Sequence, residues 1–267
     1  MNRLGDNPYF ILLKAEFKKT KDFKANFAAQ CLFIPIKLLI LILFWTAIFK
    51  HTTVIQGFEL NDMILYYFGI HITSYFINPF CIITYDMYKD ITTGNMDLYL
   101  TKPLSYFLIH YISKLHHYIF GSLIFLGISS LLKGVGLIRV PYINLILIVF
   151  FILLSCTLLY LMFLTIGILT FYLKNTLSLR DILWAFIRLL CGTLLPLEFY
   201  PKMVLNILEY LPFKYIYYTP SMLLIKNIYM IEIVRELIII FIWIIIMIRF
   251  NQWLWRKAIK KNMALGG

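Results

Sequence analysis

Charged side chains are scarce in this 267-residue chain, at 14% of the sequence, and acidic ones are scarcest, with 13 Asp and Glu against 25 Lys and Arg. A soluble domain usually has about a quarter of its residues charged. With 61% hydrophobic residues and a mean hydropathy of +0.82, a soluble fold would not have enough polar groups to cover its surface. The composition therefore excludes an ordinary soluble domain and indicates a chain that lies in a lipid bilayer.

The sequence also lacks the short motifs of nucleotide-binding and hydrolytic enzymes. It contains no GxxxxGKS or GxxxxGKT phosphate loop, no GxGxxG, no HExxH zinc motif and no GxSxG nucleophile motif. All 13 acidic residues fall in predicted loops or at the ends of predicted spans, so no carboxylate pair lies at mid-membrane depth. We therefore expect no catalytic residue, no metal site and no cofactor bound by this chain itself.

Cysteine and histidine are few and poorly placed for metal binding. His116 and His117 are adjacent, and neighbouring residues on a helix point about 100° apart. This suits a wet, interfacial helix entry better than a bidentate site, although a metal or proton-relay role stays open. The cysteines form no CxxC pair and indicate neither a zinc site nor a disulfide framework. They stand singly in apolar stretches, at Cys31, Cys81, Cys156 and Cys191.

Long apolar runs dominate what is present. The run LIIIFIWIIIMI at residues 237–248 lacks the alternation of a barrel strand, and only helices or closed barrels span lipid. The sequence therefore predicts an all-α integral membrane protein with six transmembrane helices. Pro35 is expected to kink the first span, and the fourth should tilt because one crossing takes about 20 residues. The spans are placed at residues 27–49, 60–83, 108–132, 143–173, 181–197 and 235–254.

Basic residues predict the orientation of these spans. With the N-terminus inside, the cytoplasmic segments hold fifteen Lys and Arg and the external segments six, which places both termini in the cytoplasm. The net charge of +12 is thereby explained by the membrane surface rather than by a nucleic-acid partner. Residues 1–26, with an Asn7-Pro8 helix start, are predicted to form an amphipathic cytoplasmic surface helix whose lysines face anionic lipid headgroups.

The cytoplasmic loop at residues 84–107 has turn and helix signals of its own. Gly94 suits the left-handed backbone at a helix end, and Asn95 suits the cap of a short, apolar second helix. Lys102-Pro103 would stop that helix, because the residue before a proline disfavours helical angles. The result is either a stiff elbow held at the cytoplasmic surface or an ordinary re-entry turn, and the residue chemistry leaves both open.

This loop resembles the coupling segment of ABC-2-type permeases, the membrane subunits of ATP-binding-cassette exporters. The shared pattern is an acidic residue, a short spacer, glycine, leucines and then Thr-x-Pro-Leu-Ser. The matching residues are Asp90, Gly94, Leu98, Leu100, Thr101, Pro103, Leu104 and Ser105. The family often has Glu at the first position and a Gly-Thr pair in place of Gly94-Asn95. The resemblance implies that this segment, with Asp97, couples the chain to an ATPase, and that Asp90 fixes it through a charge-assisted hydrogen bond or a basic partner.

A second segment, residues 192–220, resembles the external hairpin that in this family lies between the fifth and sixth spans and dips halfway into the membrane. Broken helices of this kind are tolerated at membrane depth only where protein buries them. The residues that fit lie in or next to the predicted external segment 198–234, and are Pro196, Glu198, Pro201, Pro212 and Pro220. A plain extracellular loop with an amphipathic helix is the alternative.

The resemblance covers nearly the whole chain and is closest to a small bacterial subfamily. It implies one permease domain over residues 1–267 in a cell membrane, forming half of a translocation pathway. A second permease chain, identical or homologous, would complete the pathway, and ABC ATPase subunits would bind the ATP and Mg²⁺. The implied substrate is amphiphilic, peptide, drug-like or lipid-linked.

Three polar residues inside predicted spans are candidates for the pathway or for buried charge, namely Lys37, His71 and Arg188. A charge at mid-membrane costs at least about 2.5–3.5 kcal/mol on insertion scales. We expect Lys37 to snorkel to the interface, His71 to bond a neighbouring helix, and Arg188 to have a buried partner, with substrate contact as its alternative. A stand-alone channel or intramembrane enzyme, the competing class, would need polar rings, a filter loop or paired catalytic groups, and the sequence shows none.

Overall fold

Helices form the architecture of the described chain, which in this computed structural model comprises residues 8–18, 36–101, 103–173, 175–226 and 228–265. No β-strand occurs in those ranges, so the all-α prediction is confirmed for them. The helices are α1 (Pro8–Lys18), α2 (Ile36–Ile48), α3 (Leu60–Ile77), α4 (Ile83–Thr92), α5 (Met96–Leu100), α6 (Tyr106–Gly134), α7 (Tyr142–Ile168), α8 (Thr176–Leu190), α9 (Lys202–Leu208), α10 (Lys214–Met222) and α11 (Met230–Leu265). Short 3₁₀ turns occupy Phe80–Ile82, Leu169–Phe171 and Leu197–Phe199.

Several helices have the length and composition of membrane spans. α6 and the stretch Tyr142–Phe171, which begins with α7, are long and apolar enough to cross a membrane. α11 has 36 residues and includes the apolar run at 237–248. At about 1.5 Å per residue, about 20 helical residues cover the apolar core of a bilayer. By length and composition, these stretches are candidate membrane spans.

Proline divides the helices differently from the predicted spans. The span predicted at 60–83 is interrupted, because α3 ends two residues before Pro79, whose nitrogen has no hydrogen to donate. The span predicted at 181–197 corresponds to α8, which begins at Thr176 and ends at Leu190. The kink predicted at Pro35 lies outside the described residues.

α7 is the central helix of the described bundle. It packs against α3, α4, α6, α10 and α11, and Leu158 and Phe163 are completely buried on it. Hydroxyl groups join it to its neighbours: Thr84 of α4 donates to the Phe163 carbonyl at 2.6 Å, and Ser155 donates to the Tyr215 carbonyl at 3.0 Å. Because lipid tails are as apolar as these side chains, helices in a membrane associate through close packing and through such hydrogen bonds, of about 0.6–2 kcal/mol each.

Candidate functional site

The elbow, defined as residues 85–105, consists of α5 and most of α4 joined by a tight turn. Gly94 lies in that turn with φ +75°, the left-handed backbone predicted for it. A Cβ built at this position would have no neighbour within 4 Å. Glycine is therefore favoured here for its backbone angle and not for space.

The short helix predicted after Gly94 is present as α5, but the capping role predicted for Asn95 is wrong. The Asn95 backbone has φ −66° and ψ −17°, which are helical angles, whereas a capping side chain needs an extended backbone. The other end of α5 is closed by a side chain, because the Thr101 hydroxyl donates to the Leu98 carbonyl at 3.0 Å.

Two carboxylates of α4 hold the elbow against the first turns of α6. The Tyr106 hydroxyl donates to Asp90 Oδ2 at 2.8 Å, and His110 Nδ1 lies 3.3 Å from Asp86 Oδ2. The Tyr106 and His110 rings are 4.3 Å apart, and Tyr99 of α5 packs edge-on against Tyr106 at 5.0 Å. We call these five residues the clasp. The bond to Asp90 is the charge-assisted contact expected of a residue that fixes the elbow.

Tyr99 contributes an aromatic surface to the clasp without adding charge. Partial burial, followed by the nearby carboxylates of Asp90 and Asp86, raises the pKa of Tyr99 above its ordinary value. Both causes disfavour the phenolate, one by removing water and the other by repulsion. Tyr99 therefore stays protonated at neutral pH.

The outer face of the elbow exposes most of the predicted coupling residues. Leu98 is 63% exposed, and Asp97, Thr101 and Pro103 are exposed beside it. Leu100 instead packs partly buried against the core. The elbow thus has an anchored inner side and a free outer side with apolar and acidic groups.

Two further elements brace the clasp. The Ser105 N–H donates to the Tyr9 hydroxyl of α1 at 3.2 Å. Trp255 of α11 stacks on Tyr106 at 6.5 Å and packs edge-on against Phe107 at 4.8 Å. A displacement of the elbow would therefore disturb its contacts with α1, α6 and α11 together.

Of the five clasp residues, only Asp90 was predicted from the sequence. The other four, which were not singled out, are Asp86, Tyr99, Tyr106 and His110. A signal was available, because Asp86 and Asp90 are four residues apart, as are Tyr106 and His110. Residues with this spacing share one face of a helix. What the sequence does not show is that the two faces meet.

The predicted external segment folds as two short helices, and the second of them is buried. α10 packs between α3 and α7, with Ile216 completely buried. Pro196, Pro212 and Pro220 are buried as well, whereas Pro201 is exposed. Burial in protein is the condition under which broken helices are tolerated at membrane depth.

A buried charge cluster joins α10 to its neighbours. The Lys214 ammonium lies 3.1 Å from Glu236 Oε1 of α11, and their side chains are 12% and 8% exposed. The Tyr218 hydroxyl donates to Glu198 Oε1 at 2.6 Å, and the Lys214 ammonium lies 5.9 Å over the Tyr218 ring. Glu198 was predicted as a hairpin residue, but the Lys214–Glu236 ion pair was not predicted.

Gly192→Ala is expected to loosen the loop after α8. Gly192 has φ +75°, which costs about 1–2 kcal/mol for a residue with a Cβ. The added Cβ would also lie 2.6 Å from the Tyr66 hydroxyl, which donates to the Gly192 carbonyl at 2.7 Å. Gly57→Ala is the control, because Gly57 has φ +81° with nothing within 4 Å. The midpoint of thermal unfolding in detergent should fall further for Gly192→Ala than for Gly57→Ala. Equal decreases would contradict a steric role for Tyr66.

The three candidate polar residues in predicted spans lie on different helices. Lys37 is exposed on α2, and His71 lies on α3 with its Nε2 buried without a hydrogen-bond partner among the described residues. Arg188 is exposed on α8 in a groove shared with Asp181 and Trp184, so the buried partner expected for it is not found among the described residues of this chain. It lies in the last turn of α8, where a positive charge is favourable.

The histidine pair on α6 has a packing role. His116 lies edge-on to Phe17 of α1 at 6.2 Å, and its Nδ1 is 2.6 Å from the Ser113 carbonyl. Within the described residues, no group of three or more His, Cys, Asp or Glu side chains is placed to hold a metal ion. The contact with Phe17 places His116 in the packing of α1 against α6.

Comparison with known families gives a match over most of the chain. A family model described as "ABC-2 family transporter protein" matches residues 36–266. The matched range includes α2 to α11, and so the elbow, the clasp and the external segment. No curated protein matches the chain.

Proposed function

Because the chain belongs to the ABC-2 transporter family, we propose that it is the transmembrane permease subunit of an ATP-driven exporter. A separate ABC ATPase would bind ATP and Mg²⁺ and supply the energy, since this sequence has no phosphate-binding loop. A second permease chain would complete the translocation pathway. The substrate class that we propose is amphiphilic, peptide, drug-like or lipid-linked.

The observation that supports this proposal best is the clasp. The elbow exposes Leu98 and Asp97 on one side and is fixed to α6 on the other by Asp90 and Asp86. A partner that pushes on the exposed side would move α4 and α6 together instead of bending the loop between them. This is the mechanical arrangement that a coupling segment needs.

The path of the force can be followed further into the bundle. The Thr84 hydroxyl of α4 is hydrogen-bonded to α7. Gly167 of α7 allows Met87 of α4 to approach closely, because the Met87 sulfur lies 3.1 Å from the position that a Cβ of residue 167 would occupy. Since packed interfaces switch between discrete arrangements, a displaced α4 would shift α7 as a unit. We propose that ATP-driven closure of the ATPase opens the pathway in this way.

The proposed orientation places the elbow and both termini in the cytoplasm and residues 198–234 outside, with the spans in α2, α3, α6, α7, α8 and α11. We expect Lys202→Cys, in a cysteine-free background, to react with a membrane-impermeant thiol reagent added to intact cells. Lys260→Cys should react only after the cells are opened, because it would lie on the cytoplasmic side of the membrane, which the reagent does not reach. The reverse pattern would overturn the orientation.

Substitutions at Gly94 test the coupling role directly. Gly94→Val should distort the elbow, because a β-branched residue rarely adopts φ +75°. Gly94→Asn is the matched control, since asparagine tolerates the left-handed region and nothing lies within 4 Å of its Cβ. We expect ATP hydrolysis by the complex with the ABC ATPase to be lost in Gly94→Val and retained in Gly94→Asn, at equal membrane levels. Full activity of Gly94→Val would refute the coupling assignment.

A further inference from the structure

The C-terminal part of α11 has a basic face and a buried face. The buried face is fixed in the bundle by Asn251, Leu254 and Ala258. The exposed face is a groove whose lining residues recur every three or four positions, so that they share one side of the helix. They are Arg249, Gln252, Trp253, Arg256, Lys257 and Lys260. The packing behind this face therefore fixes the helical segment that carries the four cations.

The positive charge of this face is not neutralised within the described chain. No Asp or Glu follows Glu236 in the sequence, and none of the four cations forms an ion pair among the described residues. The Lys257 ammonium instead lies 4.1 Å from the centre of the Trp253 ring. A fixed cluster of like charges on an exposed surface attracts an anionic ligand.

The position of the basic face matches the surface of the bilayer. The apolar run at residues 237–248 ends immediately before Arg249, so the cations begin where the hydrocarbon ends. Trp253 is an amphipathic ring of the kind enriched at headgroup level. Basic residues next to a span on the cytoplasmic side are attracted to anionic lipids.

An apolar cleft adjoins the basic face. It lies between α6, α7 and α11, has a volume of about 350 Å³, and shares Gln252 with the groove. Its apolar lining includes Phe107, Leu108, Leu161, Leu164 and Ile248. A basic groove continued by an apolar cleft has the two-part chemistry of a phospholipid, with an anionic head and a hydrocarbon chain.

We propose that this groove and cleft bind an anionic phospholipid of the cytoplasmic leaflet. Arg249 and Arg256 donate hydrogen bonds to the phosphate, and one acyl chain lies in the cleft against Leu108 and Ile248. Arginine suits this role because its planar fork pairs with phosphate oxygens in a bidentate way. The inference rests on the proposed function only in placing the C-terminal part of α11 on the cytoplasmic side of the membrane. Trp255, on the same helix, packs on the clasp, so the lipid would also steady that region.

Lipid binding to the purified full-length chain, followed by native mass spectrometry in detergent, tests the proposal. We expect phosphatidylglycerol to bind more tightly than phosphatidylcholine with the same acyl chains. The double variant Arg249→Gln/Arg256→Gln should bind phosphatidylglycerol about 30-fold more weakly, given the usual contribution of each basic residue near an anionic surface. Arg139→Gln/Lys202→Gln, which removes two exposed charges elsewhere, is the matched control and should bind normally.

Further arms of the experiment distinguish the possible ligands. Leu108→Trp, at the exposed rim of the cleft, should weaken binding of long-chain but not of short-chain phosphatidylglycerol. Equal binding of the two headgroups, or an unchanged double variant, would overturn the proposal. Displacement of the lipid by millimolar inorganic phosphate would show a simple anion site instead. If the double variant no longer associates with the ABC ATPase but still binds phosphatidylglycerol, the face is a protein-docking surface and the lipid assignment is wrong. Lipid binding by a chain that associates with no ATPase would refute the exporter function alone.

Discussion

Asp90→Ala is expected to lower ATP hydrolysis by the complex of this chain with the proposed ABC ATPase at least about tenfold, because a hydrogen bond to a charged group contributes about 1.5–3 kcal/mol. The variant removes the acceptor of the Tyr106 hydroxyl, so α4 is no longer fixed to α6 at that point. Insertion depends on the apolar length of the spans and not on this loop, so the amount of chain in the membrane should not change. Hydrolysis in reconstituted vesicles, at matched protein levels, measures the effect.

A double-mutant cycle separates this hydrogen bond from a general effect of lost charge. Tyr106→Phe removes only the hydroxyl, and it should reproduce most of the loss seen for Asp90→Ala. The two substitutions combined should be no worse than either alone, because they remove the same interaction. Glu232→Ala, an exposed acid at the start of α11, is the control and should have normal activity. Strictly additive losses would mean that Asp90 acts through something other than Tyr106.

Lys214→Met is expected to destabilise the protein by about 3–5 kcal/mol, the usual cost of leaving one partner of a buried ion pair without the other. Glu236 would then keep an unpaired charge at a position where only 8% of its side chain is exposed. Since α10 packs between α3 and α7, the damage should spread beyond the hairpin. The free energy of unfolding in mixed detergent, or the unfolding midpoint by size-exclusion chromatography after heating, reports it.

Replacing both partners should restore much of that stability. Lys214→Met/Glu236→Leu removes both charges, and a well-packed apolar pair is often as stable as a buried ion pair. The exposed pair Arg180–Asp181, whose side chains are 30% and 65% exposed, provides the control. Arg180→Met should change stability by less than about 1 kcal/mol. A double variant as unstable as Lys214→Met would show that packing of the lysine stem, and not its charge, is what matters.

Features set by short stretches of sequence were predictable. The all-helical class follows from the apolar runs, the turn at Gly94 follows from glycine before a short apolar helix, and the division of residues 197–222 into short helices follows from the prolines. Each of these depends on backbone preferences of neighbouring residues, which act whatever the rest of the chain does. The ends of the helices were less predictable, since hydropathy does not register a break such as that at Pro79.

Contacts between distant parts of the chain were not predictable. Asp90 and Tyr106 are 16 residues apart, and their bond depends on how α4 and α6 are rotated about their axes. The Lys214–Glu236 pair depends likewise on how α10 and α11 are placed relative to each other. For Arg188 no buried partner lies among the described residues of this chain, because the end of α8 at Leu190 places its side chain in an exposed last turn.

The composition and activity of the purified complex test the central claim most directly. The chain would be expressed with an ABC ATPase from the same organism, purified through a tag on the chain, and reconstituted in vesicles. We predict a complex of two permease chains with two ATPase subunits, in which ATP hydrolysis is lost when the ATPase is omitted, because this chain has no phosphate-binding loop. A chain that purifies without any ATPase and by itself hydrolyses ATP or conducts ions across the vesicle membrane would contradict the account.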